Sequence, residues 1–170
     1  SYDPVGQILL YGDGSRKSSH NLNNGIITAA GGGNPPDGLG DGGVATQATL
    51  LGNIPIPVVA PDGSLYIRDN FRIRKVDPDG IIRTVAGNGD FCDLDESSCG
   101  EGGPAIDAPI NAQSLDLGTD GSLYITTYGD WRILKIGPDG IIHTLAGDGT
   151  SCAYSGSSNC GDDGPARLAR

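Results

Sequence analysis

The chain has 170 residues, with 29 Gly, 11 Pro and no Met, and its acidic residues are 19 Asp against two Glu. A helical domain draws on Glu, Lys, Met and Gln, so this composition excludes a helix bundle. The formal charge of −10 argues against nucleic acid or an anionic membrane as partner, and no run approaches 18 consecutive apolar residues, so no membrane insertion is predicted.

In chain order, residues 7–11 and 25–30 read as the clearest strands of an incomplete first unit. Residues 44–50 suit one or two helical turns, the only helix the sequence suggests. Residues 56–86 alternate apolar and polar side chains around turns at Pro61-Asp62-Gly63 and Asp77-Pro78-Asp79-Gly80. There Pro presets φ and Gly accepts a positive φ. Residues 115–118, 122–126, 131–136 and 141–146 repeat the pattern as four strands. In this unit Leu123 and Ile125 share one face and Tyr124 takes the other. Trp131, Ile133 and Lys135 lie opposite Arg132, Leu134 and Ile136. The chain opens on Ser1 without a secretory leader pattern, as a processed or excised piece would.

Three phrases recur. Gly80-Ile81-Ile82-Arg83-Thr84-Val85-Ala86-Gly87 has counterparts at 25–31 and 140–147. Gly40-Asp41-Gly42-Gly43-Val44-Ala45 returns at 100–105 and 161–166, and Asp62-Gly63-Ser64-Leu65-Tyr66-Ile67 returns unchanged at 120–125. A period near 60 residues with several short strands per unit predicts an all-β chain of β-propeller blades, each a four-stranded antiparallel sheet. The predicted division is a partial first blade (1–31), an interblade loop (32–51), a second blade (52–87), a loop (88–110), a third blade (111–147) and a last loop (148–170). About two full blades and a partial one fall short of the four that close a ring. The expectation is therefore an open fragment of a longer propeller, or one that closes by self-association as a homo-oligomer.

The run from Asp62 to Ile67, followed by Arg68-Asp69, Arg72-Ile73-Arg74-Lys75-Val76 and Asp77-Pro78-Asp79-Gly80-Ile81-Ile82, resembles the NHL-repeat family of β-propellers. The nearest likeness is to the NHL region of teneurins and bacterial YD-repeat (Rhs-like) proteins. The family usually places Asn-His-Arg before the third strand; here Asn70-Phe71-Arg72 and Asp130-Trp131-Arg132 stand there. The resemblance implies a non-catalytic, extracellular or cell-surface module for protein–protein interaction, in a context of cell adhesion or of a toxin-encapsulating shell. Its partner would be a protein or the rest of its own longer chain. The alternative is a glycan- or small-molecule-binding propeller.

Cys92 and Cys99, followed by Gly100-Glu101-Gly102-Gly103, resemble the cysteine-closed interblade loop of teneurins. Cys152 and Cys160 occupy the same loop one repeat later. Four cysteines allow three connectivities; local pairing in each loop is the reading favoured over a metal site or free thiols. Each bridge would contribute about 2–3 kcal/mol and imply an oxidising compartment. The first loop has no cysteine and is expected to be the most mobile. Asp93, Asp95, Glu96 and Glu101 are the candidate calcium ligands, since Asp and Glu supply hard oxygens, although hairpin-turn chemistry explains most Asp-Gly pairs better. No cofactor is otherwise expected. Gly38-x-Gly40-x-x-Gly43 matches a dinucleotide fingerprint by letter only, because no strand–helix unit surrounds it. Asp69 with Arg72, and Asp130 with Arg132, are expected as Arg–carboxylate ties between strands. Trp131 and Phe71, beside Arg132 and Arg72, are the candidate partner-binding residues, because aromatics and Arg anchor interfaces. No Gly-x-Ser-x-Gly, His-Glu-x-x-His or Cys/His pair occurs, so an enzyme is not expected.

Overall fold

The computed structural model describes residues 8–11, 26–51, 57–92, 99–152, 160–161 and 163–170. It is all-β. Strands β1 (Ile8–Tyr11) and β2 (Ile26–Ala30) pair antiparallel. Two four-stranded antiparallel sheets follow, each with its strands in chain order. The second blade is β3 (Val58–Val59), β4 (Leu65–Asp69), β5 (Arg72–Val76) and β6 (Ile82–Ala86). The third is β7 (Ala112–Leu117), β8 (Leu123–Thr127), β9 (Ile133–Ile136) and β10 (Ile142–Ala146). β7 begins three residues before the predicted strand, because a register shift between Ala112 and Ser114 lets the chain keep pairing with β8. No helix among the described residues is long and apolar enough to cross a membrane.

The Asp-Gly turns act through their side chains. Asp62 Oδ1 accepts from the Ser64 N–H at 2.8 Å, and Asp120 Oδ1 accepts from the Ser122 N–H at 3.0 Å. These bonds hold both carboxyls below their ordinary value. Gly63 and Gly121 follow with φ of 88° and 81°, which only Gly adopts freely.

The interblade loops are long because each joins two blades through its backbone. Gly31 N–H, at the end of β2, donates to Ala45 O at 2.9 Å. Ala45 N–H then donates to Gly80 O of the next blade, Gly42 N–H to Ile82 O, and Ile82 N–H back to Gly43 O, at 2.8–3.0 Å. The next loop repeats this: Gly87 N–H donates to Ala105 O, Ala105 N–H to Gly140 O and Gly102 N–H to Ile142 O, each at 2.8 Å. Three short 3-10 turns sit at these junctions, Ala45–Gln47, Ala105–Asp107 and Ala166–Leu168. The sequence suggested helical turns only at 44–50. The other two follow from the recurrence of Gly-Gly-x-Ala or Asp-Gly-Pro-Ala, which places the same turn in every repeat.

Each blade has two apolar faces. Leu65, Ile67, Val76 and Ile82 pack on Ala30, Ala45 and Ala48 of the preceding blade and loop. On the other face, Ile73 and Ala86 are buried, with Tyr66 and Val85, against Leu115, Leu123, Ile125, Leu134, Ile136 and Ile142 of the third blade. The face of the third blade that corresponds to the Ile73 face is open: Ile133 is 40% exposed and Leu145 46%, where Ile73 is 0%.

Candidate functional site

At the end of the sheets where the β4–β5 turn, the β8–β9 loop and the second interblade loop converge, a cleft of about 230 Å³ opens between the second and third blades. Phe71 and Phe91 meet edge to face, 5.6 Å between ring centroids. Tyr128 stands out from the opposite wall, 68% exposed. Asn70 and Gln113 bring amide groups to the lining, and Arg68 a guanidinium. Asn70 holds φ at 54°, a left-handed conformation for which Asn is among the favoured non-Gly residues.

The floor is rigid for a local reason. Asn111 is buried, and its Oδ1 accepts from the Cys92 N–H at 2.8 Å while its Nδ2 donates to Cys92 O at 2.7 Å. Cys92 is itself joined to Cys99, Cα atoms 5.6 Å apart. Arg68 Nη1 donates to Ala112 O across the blade boundary at 3.2 Å. Cys92 is thus fixed beside the start of β7, and Phe91, the residue before it, is held with it.

Of the described residues singled out from sequence as candidate binding sites, only Phe71 lies in this cleft. Trp131 sits on the open face of the third blade, 55% exposed with φ of 50°, in a depression it shares with Arg132 and Ile133. Arg72 does not pair with Asp69 through its described bonds: its Nη2 donates to Asn88 O at 2.7 Å. Its guanidinium fills space that a Cβ on Gly89 would occupy, and Arg132 does the same over Gly149. Gly87 and Gly147 are needed for a neighbouring reason: a Cβ there would collide with the Phe71 or Trp131 carbonyl oxygen. These contacts account for the Ala-Gly-x-Gly phrase.

Asp69 instead meets Arg74, which the sequence reading passed over. Arg74 is 0% exposed. Its Nη1 lies 3.0 Å from Asp69 Oδ2, its Nη2 lies 2.7 Å from Asp41 Oδ1, and it donates to the carbonyls of Thr49 and Leu39. Asp69 also accepts the Leu51 N–H. The first loop lacks a disulfide and was expected to be the most mobile; it is tied to the second blade by this cation.

Asp130 is buried, its nearest cation Arg132 at 3.9 Å. Burial pushes its carboxyl above the ordinary aspartate value, only partly offset by Thr127 and Arg132. Cys92, Cys99 and Asp130 bring ligand-type atoms within 4.8 Å of one another, but the two sulfurs are bonded to each other, so no thiolate is offered. Cys152 and Cys160 form the second bridge. Of the four carboxylates weighed for calcium, Asp93, Asp95 and Glu96 lie outside the described residues. Glu101 Oε1 accepts from Arg167 Nη2 at 2.8 Å and lies 3.5 Å from His143 Nδ1; Oε2 accepts the Thr144 N–H. Burial pushes Glu101 up, but the bonds from Thr144 and His143 and the Arg167 charge outweigh it and leave the carboxyl below its usual 4.5.

A carboxyl lowered by folding stabilises the fold above its unfolded value and loses that share as pH falls through its folded one. Glu101 joins the second interblade loop to β10 and to the last 3-10 turn, so acid should loosen that junction. Thermal melts from pH 7 downward should show stability falling below about pH 4.5, and Glu101→Gln should flatten that fall. Asp130 has the opposite sign: its raised carboxyl favours the fold at low pH and loses that share as pH rises through its folded value.

The fold and these repeats define a class, the β-propeller blade. Residues 16–93 match the family model of the Teneurin NHL domain. Over 60 residues the chain is 45% identical to Teneurin-3 of Danio rerio; the aligned stretch is 35% of this chain and 2% of that protein. Among solved structures it resembles a Bacteroides thetaiotaomicron protein of unknown function, with a TM-score of 0.51 at 18% identity over 78% of this chain and 31% of that one. A catalytically inactive virginiamycin B lyase from Staphylococcus aureus, at a TM-score of 0.39 and 18% identity over 61% and 31% of the two chains, is too distant to carry an argument. The chain is thus a set of β-propeller blades, similar over residues 16–93 to the Teneurin NHL domain, and it spans a small part of the relatives it matches.

Proposed function

We propose that this chain is a non-catalytic interaction and structural segment of an extracellular or cell-surface NHL propeller, in a teneurin-like or YD-repeat-like protein serving adhesion or a toxin shell. The family match and the two disulfides support the extracellular part of the reading, because disulfides persist in oxidising compartments.

One observation carries the interaction part. On the second blade Tyr66, Val85, Ile73 and Ala86 lie under the third blade. Their counterparts on the third blade are Tyr124, Leu145, Ile133 and Ala146, with Trp131 beside them, and this face is uncovered. The surface that buries Ile73 is itself a blade. The fitting cover for Ile133 is therefore another sheet of the same kind, from a partner protein, from its own polypeptide or from a second copy of this chain. Burying large apolar side chains there is favourable by roughly 1.5–3 kcal/mol each, which is enough to drive association.

Sedimentation of the purified chain should show concentration-dependent self-association, which Ile133→Asp reduces. A protein that stays monomeric at all concentrations, with the same sedimentation and melting as Ile133→Asp, would overturn a second copy of this chain as the cover of this face.

A further inference from the structure

We propose that the cleft between the second and third blades binds a neutral sugar residue, with a pyranose ring lying on Tyr128 and Phe91 and its hydroxyls bonded to the amides of Gln113 and Asn70. The site is separate from the open face, and none of its contacts depends on how that face is covered.

Four observations point to this ligand. The cleft, at about 230 Å³, is below the roughly 300–1,000 Å³ of sites for drug-sized molecules, so it suits one ring. Among the described residues no carboxylate lines it, which disfavours a metal ion or an ammonium group there. The chain's charge of −10 disfavours an anion, and Arg68 already donates to Ala112 O at the cleft floor. What remains is a neutral ligand with apolar and hydroxylated sides. Aromatic faces carry negative quadrupolar charge and attract the weakly positive C–H face of a sugar. A primary amide offers both donors and acceptors, as a hydroxyl requires.

The aromatic residues are also not explained by the needs of the blade. In the next repeat the position of Phe91 is Ser151, before Cys152. Tyr128 arises from extra chain in the third blade: the repeat offset is 58 residues at Leu65 and Leu123 but 60 at Arg72 and Arg132. The two rings therefore stand where the repeat itself does not call for them, on a floor already locked by Asn111 and the Cys92–Cys99 bridge. Rigid surroundings lower the cost of ordering a weakly held ligand.

The test is a titration of the isotope-labelled chain with methyl glucoside, methyl galactoside, methyl mannoside and N-acetylglucosamine, followed by amide chemical shifts. At least one sugar should shift the signals of Asn70, Gln113 and Tyr128 with millimolar affinity. Tyr128→Ala should weaken that binding by about tenfold, the scale of one aromatic contact, Gln113→Ala by about fivefold, the scale of one hydrogen bond, and Trp131→Ala should leave it unchanged. Tyr128 and Gln113 are both exposed, so neither change should unfold the chain, and unaltered spectra elsewhere would verify this. Failure of all four sugars, or shifts that persist in both variants, would overturn the proposal. Shifts confined to the Trp131 face would do the same.

Discussion

Asp69→Ala should destabilise the chain by about 3–5 kcal/mol, the cost of leaving a buried charge without its partner. Arg74 is completely buried, and Asp69 beside it is 1% exposed. Asp41, the other carboxylate, is 36% exposed and sits in the loop, so it cannot replace Asp69 inside the sheet. The third blade shows how the same position is filled without a charge. The repeat aligns Arg74 with Leu134 and Asp69 with Thr127. Leu134 is buried in the apolar core, and Thr127 Oγ1 donates to Arg132 O at 2.8 Å. The double variant Arg74→Leu, Asp69→Thr should therefore be clearly more stable than Asp69→Ala alone, because it removes the charge together with its partner. Chemical denaturation of the three proteins measures this. A double variant no more stable than Asp69→Ala would show that Arg74 acts through the carbonyls of Leu39 and Thr49 rather than as one half of an ion pair.

That comparison also shows where the sequence was legible. The Asp-Gly turns and the alternation of Leu65, Tyr66 and Ile67 are local, and local chemistry set the sheets, their order and their faces. The same alternation across 72–76 places Arg74 on the buried face with Leu65 and Ile67. Arg72, opposite Asp69 in register, offers the same charge at the same strand pair. Both arginines share a face with that carboxylate. The choice between them was made by the first loop, which covers Arg74 and leaves Arg72 at the rim over Gly89. Tertiary packing of that kind has no signature in spacing. The cleft was hidden for a similar reason: Phe91, Gln113 and Tyr128 come from three segments whose only common property is their meeting at one end of two sheets. The change of repeat offset from 58 to 60 residues marked extra chain near Tyr128, and that was the one signal available.

The two disulfides should separate under mild reduction. Cys92 and Cys99 are 1% and 4% exposed, whereas Cys152 and Cys160 are only partly buried. Thiol–disulfide exchange requires a thiolate to reach a sulfur in line, so access decides the rate. A thiolate formed at Cys92 would also sit beside Asp130 Oδ2, 3.8 Å away, and a neighbouring carboxylate disfavours it. Reduction without denaturant, alkylation and peptide mapping should therefore label Cys152 and Cys160 first, and Cys92 and Cys99 only as the fold opens. Removing the first bridge with Cys92→Ser and Cys99→Ser should cost about 2.5 kcal/mol in loop entropy. It should cost more in total, because the two Asn111 bonds to the Cys92 backbone then lose the constraint that aligns them. The same change at Cys152 and Cys160 should cost less, since the described part of that loop is tied by exposed contacts such as Arg170 to Asp148. Equal labelling rates for the two pairs would mean that the junction between the second and third blades opens as readily as the chain's last loop. In that event the cleft floor built on Asn111 would not be rigid, and sugar binding at Tyr128 should weaken as the first bridge is reduced.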